Sequence, residues 1–512
     1  MSDETRADRL IQRLEREGII LQTNGKTISW RAPKGAMTET LMGEIRQVKS
    51  ALITRLGERG TGWVTLAPTQ RRLYVLMRLS PERTDLNVSA TVRFLGDLDI
   101  AALQDSLNSL LEDHDALRTQ FAVKDGEAVQ RALPARDVAL TVEEHSSEPD
   151  AIRRAKDFEL VRFRLDGEPT LRAVALRYAD SAWIVQLNFH HLTCDQGSMR
   201  IAVNELLARY MNKTLNVGLT VNRAPASYLA FAREATASVA QTRACDLAYW
   251  KDRLKDLPPR ARPASGGTPY SIRQRLDVDS AAAFMALAKS NRTTITAVMM
   301  AIFSLTLRHH FGREDILIGS PFNNRGPEQD SSVGMFINSL VIRLTDRGDA
   351  DFPSWLKTVA HSLIDALQHA NTPYDMVVDV LMPDNRQAEL YDAWLAVRQG
   401  YRLPPVRGLS IEPLDLDSIN ANHTLKMEID IYNDGILTHL IGTTAACSAL
   451  EMEAIAFRFA CTAKAVAAKP SQTLSALTAQ VDHEVEQWSA QQRLQQGQSK
   501  RSSLRSAVRS RG

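Results

Sequence analysis

Residues Ala182 to Phe189 alternate large apolar side chains with smaller or polar ones, and the run ends in two adjacent histidines. Trp183, Val185, Leu187 and Phe189 share one face of an extended chain, the two-residue period of a strand. Leu171 to Arg177 reads as its neighbour in a sheet. The strand runs into His190-His191-Leu192-Thr193-Cys194-Asp195-Gln196-Gly197-Ser198. Imidazole can take a proton from an attacking hydroxyl or amine near neutral pH. A carboxylate four residues beyond the second histidine can hold the turn in one shape. This combination points to acyl transfer, with the acyl group arriving already activated. If the strand persists, His191 continues the apolar parity, where desolvation favours its neutral, proton-accepting form. His190 falls with Gln186 and Asn188 and reads as structural.

The 512 residues allow about three or four compact units. A composition of 44% hydrophobic and 24% charged residues is ordinary for a globular chain that buries its own core. A formal net charge of +2 argues against a nucleic-acid binder driven by bulk charge. No stretch approaches the roughly 18 apolar residues of a membrane span. Met1 to Glu17 is rich in both charges and is no signal peptide. Cys194, Cys245, Cys447 and Cys461 form no CxxC pair, so a reducing cytoplasm is expected and no metal site is predicted.

Residues 1–60 read as a separate element. Leu10, Ile11 and Leu14 have helical spacing, and Gly18 can stop that helix. Ile19–Thr23 and Lys26–Trp30 flank Asn24-Gly25, a strong hairpin signal because both residues tolerate positive φ. Leu41, Ile45, Val48, Leu52 and Leu56 then form one stripe of a second helix. A core this small suits binding better than catalysis. Helices and strands alternate from Thr65, and a Pro- and Gly-rich break at 257–267 precedes a second α/β stretch. Ser448 with Glu451 is a capping box. Residues 490–512, without acids but with six Lys or Arg, are expected to be a disordered basic tail.

Together these residues resemble the condensation domains of nonribosomal peptide synthetases. His190, His191 and Asp195 look like the family's HHxxxDG motif. Gln70-Arg71-Arg72-Leu73-Tyr74 is similar to its opening motif, and His114 to Phe121 to its HExLRTxF motif. Tyr249-Trp250 resembles the end of its fourth motif. Ile318 to Arg325, Val333 to Ser339 and His369 to Tyr374 follow in the family's order. Residues 1–60 resemble β-hairpin docking domains that capture a short linear motif of a partner.

The resemblance implies an α/β fold of two chloramphenicol-acetyltransferase-like lobes in a V-shaped pseudo-dimer, residues 66–256 and 268–488, preceded by a small α-β-hairpin-α docking domain. It implies His191 as the catalytic residue, between the acyl thioester and the nucleophile. It implies that Asp195 forms a salt bridge to Arg325, with His190 and Arg118 also structural. Gln196 stands where the family has glycine, and Gly197 comes one later; this turn is expected at the acceptor or the oxyanion, although a solvent-facing Gln196 without a role is equally expected. The substrate would ride on the phosphopantetheine of a separate acyl or peptidyl carrier protein, with no cofactor bound to this chain. The acceptor would be a small molecule, and neither nucleic acid nor membrane is expected as a partner. Lys26, Ile28, Trp30, Arg31 and Lys34 are expected to receive an acidic C-terminal motif of the carrier on the hairpin edge. Without a nucleotide loop or a carrier serine motif in the chain, a stand-alone enzyme releasing a finished chain as an ester is expected, with amide formation as the near alternative. A non-catalytic recruiting module and an epimerase of carrier-bound aminoacyl thioesters are the rival readings.

Overall fold

The computed structural model describes the backbone of residues 3–16, 18–23, 27–33, 35–221, 225–257, 268–345, 350–385, 389–400, 410–414, 416 and 423–509. The chain divides into two compact units. The first holds 1–242, 323–337 and 402–418; the second holds 243–322, 338–401 and 419–512. The lobes expected as continuous stretches, 66–256 and 268–488, therefore exchange segments: two pieces of the later sequence belong to the first unit.

In the first unit, the helix Asp3–Arg16 is followed by the hairpin strands Ile20–Thr23 and Ile28–Arg31. Gly18 takes φ of 74°, and the amide of Ile19 bonds the Leu14 carbonyl at 2.8 Å, so the glycine does end the helix. The pairing closes at Thr23 and Ile28, two residues later on the second strand than the Asn24-Gly25 signal predicts. Asn24, Gly25 and Lys26 lie outside the described residues. The second helix of this region is broken at Val48 into Glu39–Gln47 and Lys49–Thr61. Its stripe survives the break: Leu41, Ile45, Val48 and Leu52 are buried in one cluster with Leu10, Ile11 and Leu14.

The rest of the first unit is built on a five-stranded sheet. Its order is Ser410–Pro413, Asn87–Leu95, Ala182–His190, Leu171–Ala179, Leu140–Glu144. The strand that bears the histidines is central and buried at every residue. Its face of Trp183, Val185, Leu187 and Phe189 packs on the helices Ile100–Asp113 and Gln196–Leu215. Its other face carries Gln186 and Asn188 inward, where the Asn188 side chain donates to the Phe158 carbonyl at 2.8 Å.

The second unit surrounds a six-stranded sheet. Its order is Pro269–Leu276, Gly435–Thr443, Leu425–Tyr432, Ala393–Gln399, Asp315–Asn323, Ile337–Thr345. The apolar helix Ile295–Phe311 is the centre of that core, with Val298 to Phe303 fully buried. Ser448 and Glu451 form the capping box of Ala449–Ala468. The predicted break at 257–267 falls almost wholly outside the described residues. The tail expected to be disordered from 490 instead continues the helix Leu474–Arg509. It has no proline and is rich in Gln and Arg, both good helix formers, which lets a helix already begun continue. No described helix is long and apolar enough to cross a membrane.

Candidate active site

The strand Ala182–His190 stops one residue short of what parity requires, and His191 opens a turn. His191 therefore does not continue the apolar face. Its backbone amide donates to the Leu86 carbonyl at 2.8 Å, and its ring is only partly buried. The turn is closed by the Thr193 amide, which donates to the His190 carbonyl at 2.9 Å, before Asp195 caps the following helix.

The two histidines hold their protons on opposite nitrogens. His191 Nδ1 lies 3.2 Å from the Cys194 carbonyl, which can only accept, so Nδ1 carries the hydrogen and Nε2 is the basic nitrogen. His190 Nδ1 accepts from the Leu192 amide at 3.1 Å, so its hydrogen sits on Nε2. His190 is buried edge-on against Phe163, with ring centroids 6.0 Å apart. Burial, with the neighbouring His191 and Arg172, lowers its pKa to about 3. It stays neutral and braces the turn.

Asp195 is fully buried and caps the helix Gln196–Leu215. Its Oδ1 accepts from the Ser198 amide at 2.7 Å and from Arg325 Nη2 at 3.0 Å. Its Oδ2 accepts from the Phe336 amide at 2.9 Å and from Arg325 Nη1 at 3.2 Å. Asp195 and Arg325 are thus a bidentate ion pair inside the first unit, and the guanidinium also lies over the Phe336 ring. Removing one partner would leave a buried charge, a cost of about 3–5 kcal/mol.

The glycine shift has a geometric reading. A Cβ at position 197 would meet Arg325 Nη1 at 2.9 Å and Asp195 Oδ1 at 3.3 Å, so the ion pair needs glycine there. Gln196, the first residue of the helix, is exposed. Arg118 donates to the Leu133 carbonyl at 2.5 Å, and burial lowers its pKa. Its bond lies one layer behind the turn: the neighbouring Leu117 carbonyl accepts from Thr170, whose hydroxyl is 2.7 Å from that of Thr193.

Of the docking residues, Trp30 is 47% exposed and Arg31 is exposed, while Ile28 packs partly on the small core. Lys26 and Lys34 lie outside the described residues. Gln22, Trp30, Arg31, Pro33 and Met37 line an open cleft of about 540 Å³. Arg31 pairs with exposed Glu328, a contact worth at most about 1 kcal/mol.

Sequence reasoning missed several supports. Ser198 Oγ donates to the Gly334 carbonyl at 2.6 Å and accepts from the Gly334 amide at 2.9 Å. Gln70 and Thr170 also reach the turn. One set of potential metal ligands, Cys245, Asp246 and His369, comes together among the described residues, although none was read from spacing. There His369 Nδ1 is 2.8 Å from Asp246, and the ring stacks on Tyr249.

Residues 61–488 match the Condensation domain family, and residues 8–58 match the TubC N-terminal docking domain. The chain belongs to the condensation-domain family. This condensation domain is 32% identical to a linear gramicidin synthase protein of Brevibacillus parabrevis over 341 residues, 62% of the chain and 4% of that protein. It is 27% identical to bacitracin synthase 3 of Bacillus licheniformis over 409 residues, 75% of the chain and 6% of that protein. It thus spans only a small part of the length of these relatives. The condensation domain of the monacolin K polyketide synthase MokA superposes with a TM-score of 0.71 at 17% identity, covering 81% of this chain and 99% of that one. That likeness establishes the two-lobed α/β fold.

Proposed function

We propose that this condensation domain transfers an acyl or polyketide chain from the phosphopantetheine thioester of a carrier protein to the hydroxyl or amine of an acceptor. The observation that carries this reading is the His191 ring, with Nδ1 committed to the Cys194 carbonyl and Nε2 therefore the proton acceptor. Nε2 takes or positions the proton of the nucleophile as its oxygen or nitrogen attacks the thioester carbonyl. The tetrahedral intermediate collapses, the carbon–sulfur bond breaks, and the proton leaves with the thiol. The thioester supplies the driving force. The finer reading is ester-forming chain release. It is supported by the order of a docking element, residues 8–58, directly before a condensation domain, residues 61–488.

The carrier is proposed to dock an acidic C-terminal motif against the hairpin, with Trp30 and Arg31 at the mouth of the cleft. The test of the catalytic reading is turnover of the acyl-loaded carrier with its acceptor by His191→Ala. A fall in kcat of about 10²- to 10⁴-fold is expected for a lost general base. Unchanged turnover would instead mark a carrier-recruiting module.

A further inference from the structure

The turn 191–194 places its own Leu192 carbonyl in the interior, and that carbonyl is met by one side chain from far away in sequence. Gln70 Nε2 donates to it at 2.6 Å. Gln70 is fully buried on the helix Pro68–Leu79. Its other groups are committed too. Oε1 accepts from the Ala67 amide at 2.9 Å, and the amide pairs with that of Gln130 in both directions, at 2.9 and 3.2 Å. Gln130 is itself fully buried. The Gln70 amide therefore cannot rotate without breaking several bonds at once, and its donor points at Leu192 as a fixed strut.

We infer that Gln70 is a positioning residue for His191: by holding the Leu192 carbonyl it fixes the turn whose Cys194 carbonyl selects the Nδ1–H form of the His191 ring. A buried carbonyl does not stay unpaired. Without Gln70 the 192–193 peptide turns to find another donor. The Leu192 amide on His190 and the Cys194 carbonyl on His191 belong to the same short turn, so both tautomers depend on it. Thr170 cannot replace the strut, because its hydroxyl meets Thr193 rather than the Leu192 carbonyl. The assignment deepens the proposed role of His191, but its test reads the ring itself and stands apart from turnover.

The experiment is nitrogen-15 NMR of the full chain labelled at histidine, with the His191 signals assigned through His191→Asn. In the parent chain the two ring nitrogens should report hydrogen on Nδ1. In Gln70→Met, which keeps the volume and removes the donor, the His191 ring should shift toward a mixture of tautomers. Gln130→Met removes the partner amide and spares the Leu192 bond, so its His191 signals should match the parent. If Gln70→Met does not fold, Gln70→Leu decides, since it too removes the donor to Leu192 from a side chain of similar size. Parent-like His191 signals in a folded Gln70 variant overturn the inference. So does an equal change in Gln130→Met, which would reduce Gln70 to general core packing. Turnover gives a second readout: kcat should fall by about 10²-fold for a misplaced group while KM for the acyl carrier holds. An unchanged kcat together with shifted His191 signals would count against the catalytic role of His191 and leave the positioning role of Gln70 standing.

Discussion

His190 and His191 are joined by one peptide bond, yet their environments assign them different chemistry. The buried His190, with a pKa of about 3 against an ordinary 6.5, remains neutral where an unfolded chain would already bind a proton. Its contribution to stability is complete above pH 6.5 and is lost as pH falls toward about 3. Urea unfolding between pH 7 and 5 should show a stability loss attributable to this residue of up to about 1.4 kcal/mol per pH unit below its unfolded pKa. His190→Asn should flatten the slope accordingly, and parallel slopes would refute the assignment. Gly197→Ala tests the other half of the turn. Arg325 is held by Asp195 and Ser332 and is 4% exposed at its side chain, so it cannot yield to a Cβ 2.9 Å away. A loss of about 1–3 kcal/mol is expected by chemical denaturation; a change within about 0.5 kcal/mol would mean that the guanidinium moves freely. The histidine pair and Asp195 were legible in the sequence because they are contiguous. Which histidine nitrogen is basic was not, since that depends on the carbonyls that meet the rings.

At the scale of elements, helices were legible through apolar stripes and one cap, Ser448 with Glu451, while the caps Asp99, Thr294 and Asp351, which each accept a backbone amide at a helix start, emerge from the structure. The edge strand Ser410–Pro413 was not legible, since four residues carry little period. It exists because Asn87–Leu95 offers an unpaired edge, where Ser410 to Pro413 pair with Leu95 to Val92. The hairpin of the docking region was legible, but its function rests on what it exposes. Trp30 is a large half-exposed anchor beside a cleft, the kind of residue that dominates an interface. Trp30→Ala should raise KM for the acyl carrier by roughly thirtyfold, about 2 kcal/mol of binding, and leave kcat unchanged. An unaltered KM at low carrier concentration would place docking elsewhere.

At the scale of the whole molecule, the first unit is completed by residues far along the chain. The buried carboxylate of Asp195 needs Arg325 and the Phe336 amide, and both come from the segment 323–337. A fragment of residues 61–257 would carry that carboxylate without either partner. It should fail to reach a cooperative fold, as judged by a thermal transition in circular dichroism. A cooperative transition at the temperature of the full chain would show that the later segments are dispensable.

The sequence by itself determined the central strand, the helices with their apolar stripes and the Ser448 cap, the family motifs and the docking hairpin, because periodicity and capping act between residues close along the chain. Only the tertiary structure decided that the strand stops at His190, that glycine is required at 197, and that Gln70 and residues 323–337 complete the turn. Those outcomes follow from buried carbonyls, amides and a carboxylate that must each find a partner, and the partners are set by packing in space rather than by spacing in sequence.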